Sequence, residues 1–338
     1  MHEGSIVGNP EFSVPGFPGK PDAANACPLC GRNGPMDFLR APDRFHWRKD
    51  QYLLKRCSFC TFVWLDRPPK PQEMARHYDA DYYRTIAAGS GGSSDVRWRR
   101  QREIVMRHAT SGAVLDIGCS TGAFLSTLKG GALNLYGIEM EPASAECARS
   151  ASEGTIYVGD AMSAPFAPES FDVITCFDVL EHVYEPRLFL QRVFEWLKPG
   201  GIFLAQLPNI DGWEAKLFGT YWYGLELPRH LSHFCPASLR HITVKLGFEV
   251  LRIATLADSY VDRSVGFLGS KFGEMIGHVP RPQSPFTSRS ILFRLLRKAA
   301  HLLLLKPIAV VAAASGAGPS LEGIFRKTSG PGLQRRGQ

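Results

Sequence analysis

The chain has 338 residues, 44% of them hydrophobic, which is enough to bury a full core and a length that predicts about two domains of a folded soluble enzyme. Its eight cysteines are too few for a disulfide scaffold, and in a reducing compartment CxxC pairs point to metal before cross-links. The formal charge of +7 is concentrated after residue 280, where ten Lys or Arg face the single acid Glu322, leaving the first 280 residues near −2; overall basicity is therefore no reason to expect a nucleic-acid substrate.

Residues 1–26, rich in Gly, Pro and Ala, read as a mobile leader. They lack a charged segment followed by an apolar one, so no secretory signal is expected and a cytoplasmic location follows. Residues 27–70 form a short Cys-rich unit. Cys27-Pro-Leu-Cys30 and Cys57-Ser-Phe-Cys60 are two CxxC pairs separated by 26 residues. Four thiolates meeting tetrahedrally suit zinc, and so short a unit has too small a core to fold readily without such a staple. A site closed by four protein ligands leaves no position for a water, which assigns it to structure and not to catalysis. Residues 71–94 follow as a helix beginning near Glu73, then the flexible Gly89-Ser-Gly-Gly-Ser-Ser94.

From residue 95 to 256 short apolar runs alternate with helical stretches. Ala113–Ile117, Asn134–Ile138, Thr155–Val158, Val173–Phe177 and Ile202–Gln206 read as buried strands, with helices at Ala143–Ala151 and Pro186–Leu197 between them. The alternation predicts an α/β fold with a doubly wound parallel sheet. Pro236–Leu246 reads as a helix ended by Gly247, and Phe248–Ala254 as a last strand. Residues 257–338 read as a basic tail. In it Arg294, Arg297, Lys298 and His301 recur at spacings of three to four on one helical face, opposite Ile, Leu and Phe. Residues 290–314 therefore allow peripheral contact with the inner face of a membrane, packing on the catalytic body being the equal alternative, while Lys306-Pro307 interrupts any spanning segment.

The chemistry centres on Asp116-Ile-Gly118-Cys-Ser120-Thr-Gly122. Glycines let the chain turn sharply from strand to helix and bring backbone N–H groups against a ligand. Alone, such a loop fits an ordinary turn or the dinucleotide site of an NAD-dependent dehydrogenase. Asp116 inside the strand end disfavours a pyrophosphate and favours an ammonium group. Glu139 ends the next strand, where it can accept from both hydroxyls of a ribose. Gly159-Asp160-Ala161 ends the third strand, placed to meet an adenine.

Together these segments resemble the class I S-adenosylmethionine-dependent methyltransferases over roughly residues 95–255, and Phe171–Val183 and Trp196–Ile202 continue the likeness. The resemblance implies methionine-moiety contacts at Asp116, Gly118 and Ser120, in a loop completed by Gly122. It further implies ribose contact at Glu139, adenine contact at Asp160 and Ala161, and cofactor packing near Phe177. Ser120 stands where many members have glycine.

An acceptor belongs at the carboxyl ends of the strands, near the glycine loop. His182, in Asp178-Val-Leu-Glu181-His182, is one candidate base. Asp178, Glu181 and His182 could alternatively hold a divalent ion, as similar acid-xx-Glu-His arrangements do in ubiquinone-pathway O-methyltransferases and small-RNA 2′-O-methyltransferases. Leu227-Pro-Arg-His230-Leu-Ser-His233-Phe234, taken with the four cysteines, resembles sugar C-methyltransferases of bacterial glycan pathways that carry an N-terminal zinc domain. By that match His230 is the leading catalytic base, with His233 nearby, although Arg229 stands where those enzymes often have Glu. The acceptor so implied is a sugar or glycoconjugate hydroxyl. The alternatives are a quinone or another small molecule methylated with a divalent metal, and a non-catalytic binding module of the same fold. Nucleic-acid binding through Arg44, His46, Trp47, Arg48, Lys49, Lys55 and Arg56 is the weaker partner reading. Tyr78, Tyr82, Tyr83, Trp213, Tyr221, Trp222 and Tyr223 could wall an acceptor site, and Cys119, Cys147, Cys176 and Cys235 are expected to be inert and buried. The oligomeric state has no signature in the sequence.

Overall fold

The computed structural model describes residues 26–45, 50–78, 94–275 and 305–328. The expected leader up to residue 25, the Gly/Ser stretch up to residue 93 and the basic helix at 290–301 lie outside those residues. Strands β1 (Met36–Pro42), β2 (Gln51–Arg56) and β3 (Val63–Leu65) form an antiparallel meander, followed by the short α1 (Pro71–Met74). Helix α2 (Ser94–His108) leads into the main body.

There the chain runs β4 (Ser111–Ile117), β5 (Ala132–Glu139), α3 (Pro142–Ser152), β6 (Thr155–Val158), β7 (Phe171–Phe177), α4 (Pro186–Trp196) and β8 (Leu197–Pro208). It continues through α5 (Trp213–Phe218), β9 (Ser232–His233), α6 (Pro236–Lys245), β10 (Phe248–Leu256), α7 (Val261–Met275), α8 (Lys306–Ala314) and β11 (Ser320–Lys327). Burial explains why apolar runs mark the strands. The last four residues of β4 and the last five of β7 are all buried, as expected of parallel strands covered on both faces. Helix α3 starts where the Glu141 side chain accepts from the Ser144 N–H, with Pro142 in its first turn, and stops at Glu153 in the left-handed region. In α4, Phe189, Leu190, Val193 and Trp196 recur every three or four residues and are buried.

The main sheet has the order β10-β11-β8-β7-β4-β5-β6. β4 pairs in parallel with β5 on one side and β7 on the other, and β5–β6 and β7–β8 are parallel too. The winding direction reverses at β4, so the carboxyl ends of β4 and β7 flank the crevice where such sheets bind ligands. This is a Rossmann-like α/β fold, as the alternation of elements predicts.

In its described parts, residues 257–275 and 305–328, the structure corrects the reading of a tail. β11 lies antiparallel between β8 and β10 and is buried almost throughout. Its Glu322, 1% exposed, accepts two hydrogen bonds from Arg100 of α2, at 2.8 and 2.6 Å, which ties the start of the domain to its end. Helix α8 packs through Ala309 and Ala312 and accepts from Thr255 at the Ala313 carbonyl, 2.8 Å, while Ile308 and Val311 face outward. Among the described residues no helix is long and apolar enough to cross a membrane.

The Cys-rich unit is not a separate bead either. Strand β9 adds to β3 with Val63 opposite His233 and Trp64 opposite Ser232, so the N-terminal sheet is completed by two residues of the main body.

Candidate active site

The glycine loop follows β4. Gly118 has φ 73°, and a Cβ there would stand 2.3 Å from Val179 Cγ2, so only glycine fits the turn. The N–H groups of Gly118 and Cys119 donate to the Ile138 carbonyl, at 2.9 and 3.0 Å. Ser120 also takes a left-handed φ, 50°, which costs a non-glycine residue on the order of 1–2 kcal/mol. Gly122 faces away from the crevice: a Cβ on it would meet the backbone of Ala148 in α3 at 2.8 Å.

Asp116 is 3% exposed and accepts from the Thr175 hydroxyl at 2.6 Å. Burial, reinforced by the charge of Glu139, pushes its carboxyl up to about 7, so a cation arriving beside it would restore the ionised form. Glu139 accepts from the N–H groups of Ser120 and Glu141, both at 2.9 Å. Asp160 caps its own turn through the Met162 N–H at 2.6 Å. Phe177 packs edge-on against Phe124 and tilts against Trp98, with centroids 5.0 and 5.4 Å apart.

A cavity of about 510 Å³ opens over this loop, within the usual range for a small-molecule site. Asp116, Gly118, Ser120 and Phe177 line one end, and Asp178, Glu181, His182, Glu226 and His230 line the other. Arg97, Trp98, Tyr223, Tyr260 and Arg263 also belong to its wall.

At the second end, His230 Nδ1 lies 2.9 Å from the Gly224 carbonyl, and His182 Nδ1 lies 3.1 Å from the Arg229 carbonyl. A carbonyl can only accept, so each Nδ1 carries the proton and each neutral ring keeps its lone pair on Nε2. The two rings meet edge to face at 4.7 Å. Burial pulls both imidazoles below the ordinary histidine range, His230 well below it. Glu226 Oε2 is 3.6 Å from His230 Nε2, while its Oε1 accepts from Arg229 at 3.0 Å. Arg229 is fully buried, donates to the His77 carbonyl at 3.0 Å and lies 4.2 Å over the Phe45 ring.

Glu181 is 2% exposed, its Oε2 has no hydrogen-bond partner, and burial with the neighbouring Asp178 charge drives its carboxyl well above the usual range. Asp178, exposed on the cavity wall, is pushed up to about 6, chiefly by desolvation.

Residues 95–253 match the family model described as "Methyltransferase domain". A Mycolicibacterium smegmatis protein named "Probable S-adenosylmethionine-dependent methyltransferase" is 30% identical over 168 residues, 47% of this chain and 62% of that protein. The chain thus spans less than two thirds of that relative. A protein of Azorhizobium caulinodans named "Ubiquinone biosynthesis O-methyltransferase" is 28% identical over 180 residues, covering 47% of this chain and 71% of the relative. A solved Archaeoglobus fulgidus structure described as a SAM-dependent methyltransferase has a TM-score of 0.49 at 16% identity, covering 73% of this chain and 100% of that one. Residues 95–253 therefore carry a methyltransferase domain by that family match.

Of the residues expected to hold the cofactor, the methyltransferase domain brings Asp116, Gly118, Ser120 and Phe177 to the cavity wall. Gly122 serves loop-to-helix packing instead. Glu139 and the exposed Asp160 stand outside the enclosed part, on neighbouring strand ends joined by the Gly159 N–H to Glu139 carbonyl bond at 2.9 Å, and half-buried Ala161 packs against the core.

His182 and His230, read from two separate motifs, converge. His233 does not reach the cavity: it sits on β9 behind His230, with centroids 6.1 Å apart. The expected grouping of Asp178, Glu181 and His182 is corrected to Glu181, His182 and His230, whose donor atoms lie within 4.8 Å of one another; Asp178 is outside that group. Arg229, the apparent departure from the sugar enzymes, braces Glu226 with its side chain and holds His182 Nδ1 with its carbonyl, at 3.0 and 3.1 Å.

Glu226, Tyr260 and Arg263 were missed. The four-residue spacing from Glu226 to His230 was the available signal, whereas Tyr260 and Arg263 fell in the supposed tail. Of the aromatic candidates, Tyr223 lines the cavity and Tyr78 puts its hydroxyl 3.2 Å from His182 Nδ1. Trp222 is core, Tyr221 lies under Arg44, Trp213 opens α5, and Tyr82 and Tyr83 lie outside the described residues.

Cys27, Cys30, Cys57 and Cys60 converge, with Sγ–Sγ separations of 3.6 Å for Cys27–Cys60 and for Cys30–Cys57. Zinc–sulfur bonds of about 2.3 Å in a tetrahedron put sulfurs about 3.8 Å apart, so the four thiols fit one ion. The N–H groups of Phe59 and Cys60 point at Cys57 Sγ, both at 3.4 Å. Cys119, Cys176 and Cys235 are buried as expected; Cys147 is exposed.

Proposed function

We propose that the chain methylates a hydroxyl of a small acceptor, with S-adenosylmethionine as donor and S-adenosylhomocysteine as product. One observation carries the reading: a single cavity joins Asp116, Gly118 and Ser120 to His182, Glu226 and His230. The donor supplies an electrophilic methyl carbon, and the chain supplies position and a base. Asp116 receives the ammonium group, and the Ser120 turn holds the methionine moiety. As the new C–O bond forms and the methyl–sulfur bond breaks, His230 Nε2 takes the hydroxyl proton. Burial keeps that imidazole neutral beforehand, and Glu226 offsets the positive charge afterwards.

The resemblance to zinc-bearing sugar methyltransferases favours a sugar or glycoconjugate hydroxyl, and the fit of the four thiols supports zinc as a structural ion. A second reading, a quinone-type ring hydroxyl methylated with a divalent metal, is favoured by the partnerless Glu181 oxygen beside two histidines held by backbone carbonyls. Glu181, His182 and His230 would hold that ion, which lowers the pKa of a bound hydroxyl. Screening nucleotide-sugars, lipid-linked sugars and catechols for methyl transfer, with His230→Ala as control, separates the two. Transfer to none of these, or equal transfer by the variant, contradicts the proposal.

A further inference from the structure

The four-cysteine unit and the acceptor side of the cavity are joined through one short segment. The Leu65 N–H of β3 donates to the Leu231 carbonyl at 2.9 Å, and the Leu231 N–H donates to the Glu181 carbonyl at 2.8 Å. β9 then pairs with β3, and the Ile210 N–H donates to the Phe234 carbonyl at 3.0 Å. Residues 231–234 are thus stitched on one side to the Cys-rich sheet and on the other to the two loops that carry Glu181 and follow β8.

Side chains repeat the connection. Thr61, which follows Cys60, places its hydroxyl 3.1 Å from Cys235 Sγ, and Phe62 packs edge-on against Phe234 at 4.9 Å. Thr61 itself has φ 62°, a turn held because its N–H donates to Cys57 at 3.1 Å and the Phe62 carbonyl accepts from the Cys57 N–H at 2.9 Å. The residues that set the CxxC turn therefore also set where β3 begins. A strand displaced by one residue presents its opposite face, which would turn Val63 and Leu65 out of the core that receives Leu227 and Leu231.

We infer that zinc held by Cys27, Cys30, Cys57 and Cys60 acts as a positioning device for the acceptor site. It fixes β3, β3 fixes Ser232–His233, and that pairing holds His230 and Glu226 against His182. The glycine loop is held by a different set of hydrogen bonds, to Ile138 and Glu139, and meets the Glu181 loop through packing of Gly118 on Val179. Loss of the ion should loosen the acceptor half of the cavity and spare the donor half. This inference rests on the zinc reading and on the donor site proposed above.

The test uses the full chain, with metal analysis, amide hydrogen exchange and calorimetric titration of S-adenosylhomocysteine before and after chelation. The expected protein carries about one zinc. Once stripped, it exchanges amides of residues 226–235 about tenfold faster or more, while residues 111–125 change by less than about twofold. S-adenosylhomocysteine affinity stays within about threefold. Phe62→Ala, which keeps all four thiols, should retain zinc and still accelerate residues 226–235. Unchanged exchange at 226–235 in the stripped protein overturns the coupling, as does equal acceleration of residues 111–125. Protein that never holds zinc overturns the zinc reading, and failure of S-adenosylhomocysteine to bind the zinc-loaded protein overturns the donor site instead.

Discussion

His230 Nδ1 is hydrogen-bonded to the Gly224 carbonyl at 2.9 Å, which leaves Nε2 as the only ring atom able to accept a proton or bind a metal. Replacing His230 by Ala should lower methyl transfer about 10²- to 10⁴-fold, the usual contribution of a positioned base. S-adenosylhomocysteine affinity should remain near that of the parent. Steady-state rates and a calorimetric titration check both halves.

Asp116 is neutral-leaning in the free protein, with its carboxyl near 7. Binding an ammonium group favours the ionised form, so a proton leaves as the ligand binds. S-adenosylhomocysteine affinity should therefore rise as pH increases toward 7 and flatten above it, by at most about tenfold per pH unit. Asp116→Asn should bind more weakly and lose most of this slope, measured by titrations from pH 5.5 to 8.5.

His233 is held at about 3 by burial and by the neighbouring histidines. Its folded value lies below the ordinary one of 6.5, so the unfolded chain binds more protons below that pH. Stability should fall as pH drops from 6.5 toward 3, by up to about 1.4 kcal/mol per unit for this one group. Chemical denaturation of the parent and of His233→Gln should show a shallower decline in the variant.

Gly118→Ala places a Cβ 2.3 Å from Val179 Cγ2 at a left-handed φ. A loss of about 2 kcal/mol or more in stability is expected, together with weaker S-adenosylhomocysteine binding. Thermal unfolding with and without ligand measures both.

A chain ended after Leu256 should fail to unfold cooperatively, because it lacks β11 between β8 and β10. In the full chain Arg100→Ala should destabilise by about 1–3 kcal/mol, since it strips the buried Glu322 of its partner. Circular dichroism melts distinguish these cases.

Apolar period and turn residues made the strands β4 to β8 and β10 readable, because each is a local apolar run, buried throughout at the ends of β4 and β7. β11 was not: Ser-Leu-Glu-Gly-Ile-Phe-Arg-Lys carries three charges and a glycine, and its place depends on Arg100, more than 200 residues earlier. The cofactor loop was legible because its chemistry lies within seven residues. The acceptor end was only half legible, since His182 and His230 meet through tertiary packing and the two-residue β9 has no periodicity of its own. Arg229 looked like a departure from an enzyme pattern for the same reason, its partners Glu226 and His77 being set by the fold.

The most direct test of the central claim is a calorimetric titration of the full chain with S-adenosylmethionine and, separately, with NADH. One S-adenosylmethionine per chain, weakened about tenfold or more by Asp116→Asn, with no NADH binding, is the predicted result. NADH binding without S-adenosylmethionine binding would contradict it.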